Sequence, residues 1–183
     1  MAENRVDPTV AGLFLVGFIT LVFGLIGILL YGKVDGAGAL AGTVSGEGGS
    51  LAVIVGVVFI VFTVSAIRCG NAFAAALFGF VAVALFGATV GLNAGSMYLF
   101  VVFAIVFILF ALVAFLIGAP KLLAILLFFV ALLYLFVGLW VNAIADDGMN
   151  NVFGVLFGLF GILAAAVALY MAFALSTQKL PVF

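Results

Sequence analysis

Residues 97–117 read MYLFVVFAIVFILFALVAFLI, a run with no charge and a single hydroxyl, that of Tyr98. As a helix at ~1.5 Å per residue such a run covers about 30 Å, the thickness of a bilayer's hydrocarbon core. Three runs of the same kind precede it, Thr9–Tyr31, Leu51–Ile67 and Ala72–Leu92, and two follow, Leu122–Ile144 and Val152–Leu175. The five basic and six acidic residues of the 183-residue chain all fall outside the six runs. Only 6% of the chain is charged and 70% is hydrophobic, against about 25% charged for a soluble domain. A charge at mid-bilayer costs roughly 2.5 to 3.5 kcal/mol even on lenient insertion scales, so the placement of charge identifies the solvent as lipid. The runs are long and continuous rather than short and alternating, which predicts helices and not a β-barrel. The expected fold class is all-α: a polytopic membrane protein with six transmembrane helices in a compact bundle, one domain over residues 1–183.

The first run is expected to be a span and not a cleaved signal peptide. It exceeds an h-region in length, it is preceded by Glu3, Arg5 and Asp7, and no small-residue cleavage site follows. With six spans, Arg5, Arg68, Lys121 and Lys179 fall on one side and Lys33 on the other. That asymmetry places both termini in the cytoplasm, with the protein in the plasma membrane. The acids Asp35, Glu47, Asp146 and Asp147 fall on the outer side; it is the basic residues that set the orientation.

The rest of the composition excludes whole classes of function. A net charge of −1 with no basic patch excludes nucleic acid as a partner. The single cysteine, Cys69, precludes an internal disulfide, and the absence of histidine removes most metal sites, catalytic triads and proton relays. No cofactor, no metal and no enzymatic activity are expected.

Helix ends are marked by residue type. Asp7 before Pro8 is a cap-and-proline start for the first helix. Gly70–Asn71 turns the second span into the third, and Asn93-Ala94-Gly95-Ser96 turns the third into the fourth, with Ser96 as a cap. Gly118-Ala119-Pro120 ends the fourth, and Asp147-Gly148 with Asn150-Asn151 opens the sixth. Such tight turns predict that sequential helices are antiparallel neighbours. Between the first two spans, Gly32 to Ser50 is a glycine-rich external loop, with Ala39 to Val44 apolar enough to fold back as a partial re-entrant cap. Small residues form stripes: Gly17, Gly24 and Gly27 in the first span, Gly79 and Gly87 in the third, and Gly154, Gly158, Gly161, Ala165 and Ala168 in the sixth. In lipid such stripes let backbones approach closely, within the chain, at a subunit interface or along a pore wall.

Several short motifs occur in the order and spacing of a known family. Asp7-Pro8-Thr9-Val10-Ala11-Gly12-Leu13 precedes the first span. Gly70-Asn71-Ala72-Phe73 forms a turn, Tyr98-Leu99 begins the fourth span, and Phe128-Phe129 leads an aliphatic run to Asn142. Ala168-Leu169-Tyr170-Met171-Ala172 lies in the sixth span, with Leu180-Pro181 at the tail. Over nearly its whole length the chain resembles the acetate uptake transporters, the succinate–acetate permease family. Of that family's Asn-Pro-Ala-Pro-Leu-Gly-Leu signature the chain keeps Pro8, Gly12 and Leu13. It has Phe59, Ala66 and Leu175 where the family tends to carry a glutamine and two glutamates. The resemblance implies a solute path through each subunit of a homohexamer. It also implies an apolar constriction from spans one, three and five near Val16, Val81 and Ala131, with Phe18, Phe80 or Leu132 as neighbours that set its width.

The polar side chains within the runs are Thr20, Thr63, Ser65, Thr89, Tyr134, Asn142 and Tyr170, each able to donate a hydrogen bond without carrying charge. Thr and Ser are commonly back-bonded to their own helix. Tyr134 and Tyr170 are the candidate donors on a path, Tyr170 also being suited to the interface belt. Asn71 and Asn142, near span ends, suit helix caps. The leading expectation is a transporter or channel for acetate or a similar small monocarboxylate, with any proton carried on the substrate because no embedded group relays one. Two alternatives stand beside it. One is a channel for urea or a short amide, to which Lys33-Val34-Asp35-Gly36 bears a loose likeness, although Trp140 is the only tryptophan. The other is a structural membrane protein with no path.

Overall fold

Hydrocarbon offers backbone amides no water, so each apolar run must close its hydrogen bonds internally. The computed structural model describes residues 8–31, 50–89, 96–142, 147–177 and 181. Among these residues the chain is all-helical: α1 (Thr9–Tyr31), α2 (Ser50–Arg68), α3 (Ala72–Ala88), α4 (Ser96–Leu116), α5 (Lys121–Asn142) and α6 (Asp147–Thr177). Outside them lie Arg5, Asp7, the loop of residues 32–49 with Lys33, Asp35 and Glu47, the turn residues Asn93, Ala94 and Gly95, Asp146, Lys179 and Leu180. The side chains of Ser96, Asn142, Asp147, Asn150 and Asn151 are outside the description as well.

Five helices, all but α3, are long and apolar enough to cross a membrane. α3 was expected to reach Leu92 but ends at Ala88, where Thr89 turns its hydroxyl onto the Phe86 carbonyl at 2.7 Å and its N–H onto the same oxygen at 3.1 Å. That i−3 closure ends the α-helical ladder after 17 residues, about 26 Å of helix.

Two turns share one device. The N–H of Asn71 reaches the Ala66 carbonyl at 2.9 Å and that of Gly70 reaches Ile67 at 3.0 Å; Ala119 to Ala114 and Gly118 to Phe115 repeat the pattern at 3.0 and 3.3 Å. These are Schellman ends, and they require a left-handed residue, supplied by Gly70 at φ 75° and Gly118 at φ 72°. Asn71 then caps α3 by accepting the Ala74 N–H at 3.0 Å. At the start of α1 the first intrahelical bond runs from the Gly12 N–H to the Pro8 carbonyl at 2.8 Å.

Ring and glycine contacts give the helix directions. Phe59 and Phe62 meet Phe78, Phe80 meets Phe107, Tyr134 meets Phe100 and Phe107, and Trp140 meets Phe157. Phe14 meets Phe173, joining the first helix to the last. Every one of these pairs is antiparallel, so the six helices alternate in direction and Thr9 and Thr177 lie at the same end of the bundle. Arg68 and Lys121, the described basic residues, share that end.

The expectation that sequential helices are the principal neighbours holds for α2–α3, α4–α5 and α5–α6, but α1 packs chiefly on α6 and only lightly on α2, and α3 only lightly on α4. The reason is the glycine stripes, which here serve packing within the chain. A methyl placed at Gly161 would lie 2.6 Å from Gly24 Cα, one at Gly24 would lie 2.8 Å from the Ile162 nitrogen, and one at Gly27 would lie 2.9 Å from that of Gly158. Only hydrogen fits between the backbones there. Outward, α2 exposes Val53, Ile54, Val57, Ile60, Val61 and Val64, and α4 exposes Ile105, Leu109, Leu112 and Leu116. Apolar faces of that extent belong against lipid. The protein is an integral membrane protein.

Candidate functional site

Beside the close seam between α1 and α6 the packing leaves unfilled volume. Two adjoining cavities, each of about 40 Å³, lie between α1, α3 and α5. The first is walled by Phe23, Ile26 and Leu30 of α1, Ala88 of α3, Phe100 of α4, Val137 and Trp140 of α5, and Phe157 of α6. The second is walled by Leu13, Val16 and Thr20 of α1, Leu77, Val81 and Leu85 of α3, Phe107 of α4, and Leu126, Leu127 and Val130 of α5. Phe23, Leu133 and Tyr134 border both. On α1 the wall residues recur at helical spacing from Leu13 to Leu30, so the column follows the helix for about 26 Å. On the same measure a water molecule needs about 10–15 Å³, so each cavity has room for a solute of a few non-hydrogen atoms.

Of the residues expected on the path, Val16, Thr20, Val81 and Tyr134 line this column. Ala131 is buried in the core next to it, and Phe80 packs among Phe103, Phe107 and Phe110; neither borders the cavities. Leu132 is half-buried and also borders neither. Phe18 has to be moved off the path, because it is 48% exposed on the lipid face. Two positions beyond Val16 is a rotation of ~200° on a helix, which carries Phe18 to the far side with Leu25. Tyr170 is likewise not a path donor. It is exposed and donates its hydroxyl to the Pro181 carbonyl at 3.0 Å, holding that part of the tail against the end of α6.

The remaining signature positions have structural work. Gly12 lies beneath the Phe78 ring, where any Cβ would collide with it, Leu13 is a cavity wall, Pro8 starts α1, and Gly70 and Asn71 build the α2–α3 turn. Thr63 donates to the Phe59 carbonyl at 2.8 Å, and Thr20 donates to the Val16 carbonyl at 2.7 Å with Gly17 at 3.3 Å. Both threonines have spent their proton locally. Tyr134 is different: its side chain is 8% exposed, and its hydroxyl has no hydrogen-bond partner among the described residues. No group of three or more His, Cys, Asp or Glu that could hold a metal ion occurs among the described residues.

The residues that sequence reading missed are the apolar walls Phe23, Leu126, Val130 and Leu133, which nothing distinguishes from their neighbours in so uniform a sequence. The fold and the cavities define an all-α polytopic membrane protein with two adjoining, apolar interior cavities lined by no charged side chain. No protein-family model, curated protein or solved structure matches the chain.

Proposed function

We propose that the protein is a transporter or channel that moves acetate or a similarly small monocarboxylate across the plasma membrane. The observation that carries this reading is the pair of adjoining cavities between α1, α3 and α5, lined by apolar side chains with Thr20 and Tyr134 among them. A dry wall of this kind penalises a carboxylate, since an unpaired charge in an apolar medium is far costlier than a neutral polar group. The proton therefore travels on the substrate, which crosses as the undissociated acid. Arg68 and Lys121 at the end shared by Thr9 and Thr177 favour a cytoplasmic location for that end. The exposed faces of α2 and α4 leave room for association with further copies, as in a homohexamer. The cavities weigh against a purely structural role, and a urea or amide path is less well served because the column offers few acceptors.

The test is uptake of radiolabelled acetate by proteoliposomes, with propionate, succinate and urea as competitors. Uptake should rise as external pH falls and be competed by propionate but not by urea. Acetate movement that is voltage-driven and independent of pH would refute the neutral-acid mechanism.

A further inference from the structure

Burying a hydroxyl without a partner costs free energy, and such groups almost always find one. Thr20, Thr63 and Thr89 do so on their own helices, an option closed to tyrosine, whose hydroxyl stands a ring's length from the backbone. The Tyr134 ring is also fixed in place. It stacks on Phe107 at 5.4 Å and 13° and on Phe100 at 6.2 Å and 26°, and Phe103 meets it edge-on at 5.6 Å and 78°. A clamped aromatic ring of this kind holds its polar end at one point. Tyr134 borders both cavities, whose other polar side chains are Thr20 in one and Trp140 in the other.

Building on the transport reading above, we propose that the Tyr134 hydroxyl is the specificity-determining donor of the path and that the solute it reads is an undissociated short-chain monocarboxylic acid. Such an acid brings one good acceptor, its carbonyl, and one donor, its O–H. The Tyr134 O–H serves the carbonyl. The acid proton is accepted by the phenolic oxygen or by Thr20 Oγ1, whose own hydrogen is committed to Val16 and whose lone pairs remain open. The count closes with no group left unpaired. In the cavity that Thr20 lines, a carboxylate would bring a charge to a single neutral donor. An amide or urea would bring two or four N–H groups to two acceptor oxygens, and a diacid would leave its second carboxyl unpaired among leucines and valines. A site whose buried polar groups match one solute rejects analogues that leave partners unpaired. The short alkyl group fills the apolar remainder of a cavity of about 40 Å³.

The experiment uses the full chain in vesicles of saturated lipid, which slow the unaided leak, with a trapped pH dye reporting entry of acetic acid. Xenon-129 NMR on the same samples reports whether the apolar cavities are intact, since dry cavities of this type bind xenon. Tyr134→Phe keeps the ring and its stacking and removes only the donor. The expected result is a fall in protein-dependent acid flux of about three- to tenfold, the value of one neutral hydrogen bond, with xenon binding unchanged. Wild-type flux above that of protein-free vesicles, together with an equal flux in Tyr134→Phe, overturns this inference and leaves the transport reading standing. Loss of xenon binding along with flux makes Tyr134 a packing residue and also overturns it. Wild-type flux no higher than that of protein-free vesicles overturns both readings.

Discussion

Replacing Gly161 by alanine should pry α1 from α6, and the cost follows from the seam geometry. The new methyl would lie 2.6 Å from Gly24 Cα, 2.8 Å from Gly24 N and 2.9 Å from the Thr20 carbonyl oxygen. All three obstacles are backbone, so no side chain can rotate away. Reaching an ordinary contact near 3.4 Å requires the helices to part locally by about 0.8 Å. A gap of that size forfeits a quarter to a half of each ~0.15 kcal/mol atom contact, and over roughly 40 such contacts along the seam the loss is ~2 kcal/mol. The figure agrees with the ~1–3 kcal/mol usual for overpacking a close-fitted interior. Gly79→Ala supplies the control, because a methyl there would meet only Thr63 at 3.5 and 3.6 Å, and alanine's better helix propensity should make it neutral or stabilising by up to ~1 kcal/mol. The assay is denaturation in mixed micelles with SDS, followed by fluorescence of Trp140, the single tryptophan, which stacks on Phe157 of α6. Equal stabilities for Gly161→Ala and wild type, or equal losses in Gly161→Ala and Gly79→Ala, would refute the claim that backbone contact joins α1 to α6.

Other expectations can be checked alongside it. Val81→Trp fills the second cavity and should abolish protein-dependent acid flux, whereas Phe18→Ala, on the lipid face, should leave it unchanged in the same vesicle assay. Gly118→Ala and Gly70→Ala meet no steric neighbour but force a left-handed backbone on an L side chain, so each should lower stability by about 1–2 kcal/mol in the SDS titration. Asn71→Ala removes the acceptor for the Ala74 N–H and should cost ~1 kcal/mol, while Asn71→Asp retains it.

Helix positions were legible because lipid allows no alternative to a continuous apolar run, and the turns were legible where chemistry narrows the choice of residue. Gly70 and Gly118 stand where φ is positive, and Asn71 stands where an orphan amide needs an oxygen. The facing of each helix was not legible. Phe18 and Phe23 are the same residue five positions apart, yet one meets lipid and the other a cavity, and a sequence apolar on all sides carries no periodic signal to separate them. The glycine stripes announced close approach without naming the partner. Gly24 and Gly161 meet although they belong to the first and last helices, a pairing that short turns cannot predict. The end of α3 was misplaced because Thr89 sits within an apolar stretch, and only its bond to Phe86 marks it as a terminus.

The same packing that makes α1–α6 tight explains why the column lies where it does. At 100° per residue Gly24 and Gly27 share a face of α1 with Leu13, Val16, Thr20 and Phe23, so the glycines seat the backbone on α6 while the longer side chains interleaved with them line the cavities beside that seam. Across the resulting gap the opposing residues are long or branched, Leu77, Val81 and Leu85 on one wall and Leu126, Val130 and Leu133 on another. Side chains of that shape meet at their tips and leave space behind them, whereas the glycine seam leaves none. Filling the column would need only larger side chains at Val16, Val81 or Val130, and hydrophobic enlargement carries no penalty from lipid. Such enlargement would also bury the Tyr134 hydroxyl, which has no hydrogen-bond partner among the described residues, more deeply among apolar side chains, and burying a polar group without a partner costs free energy.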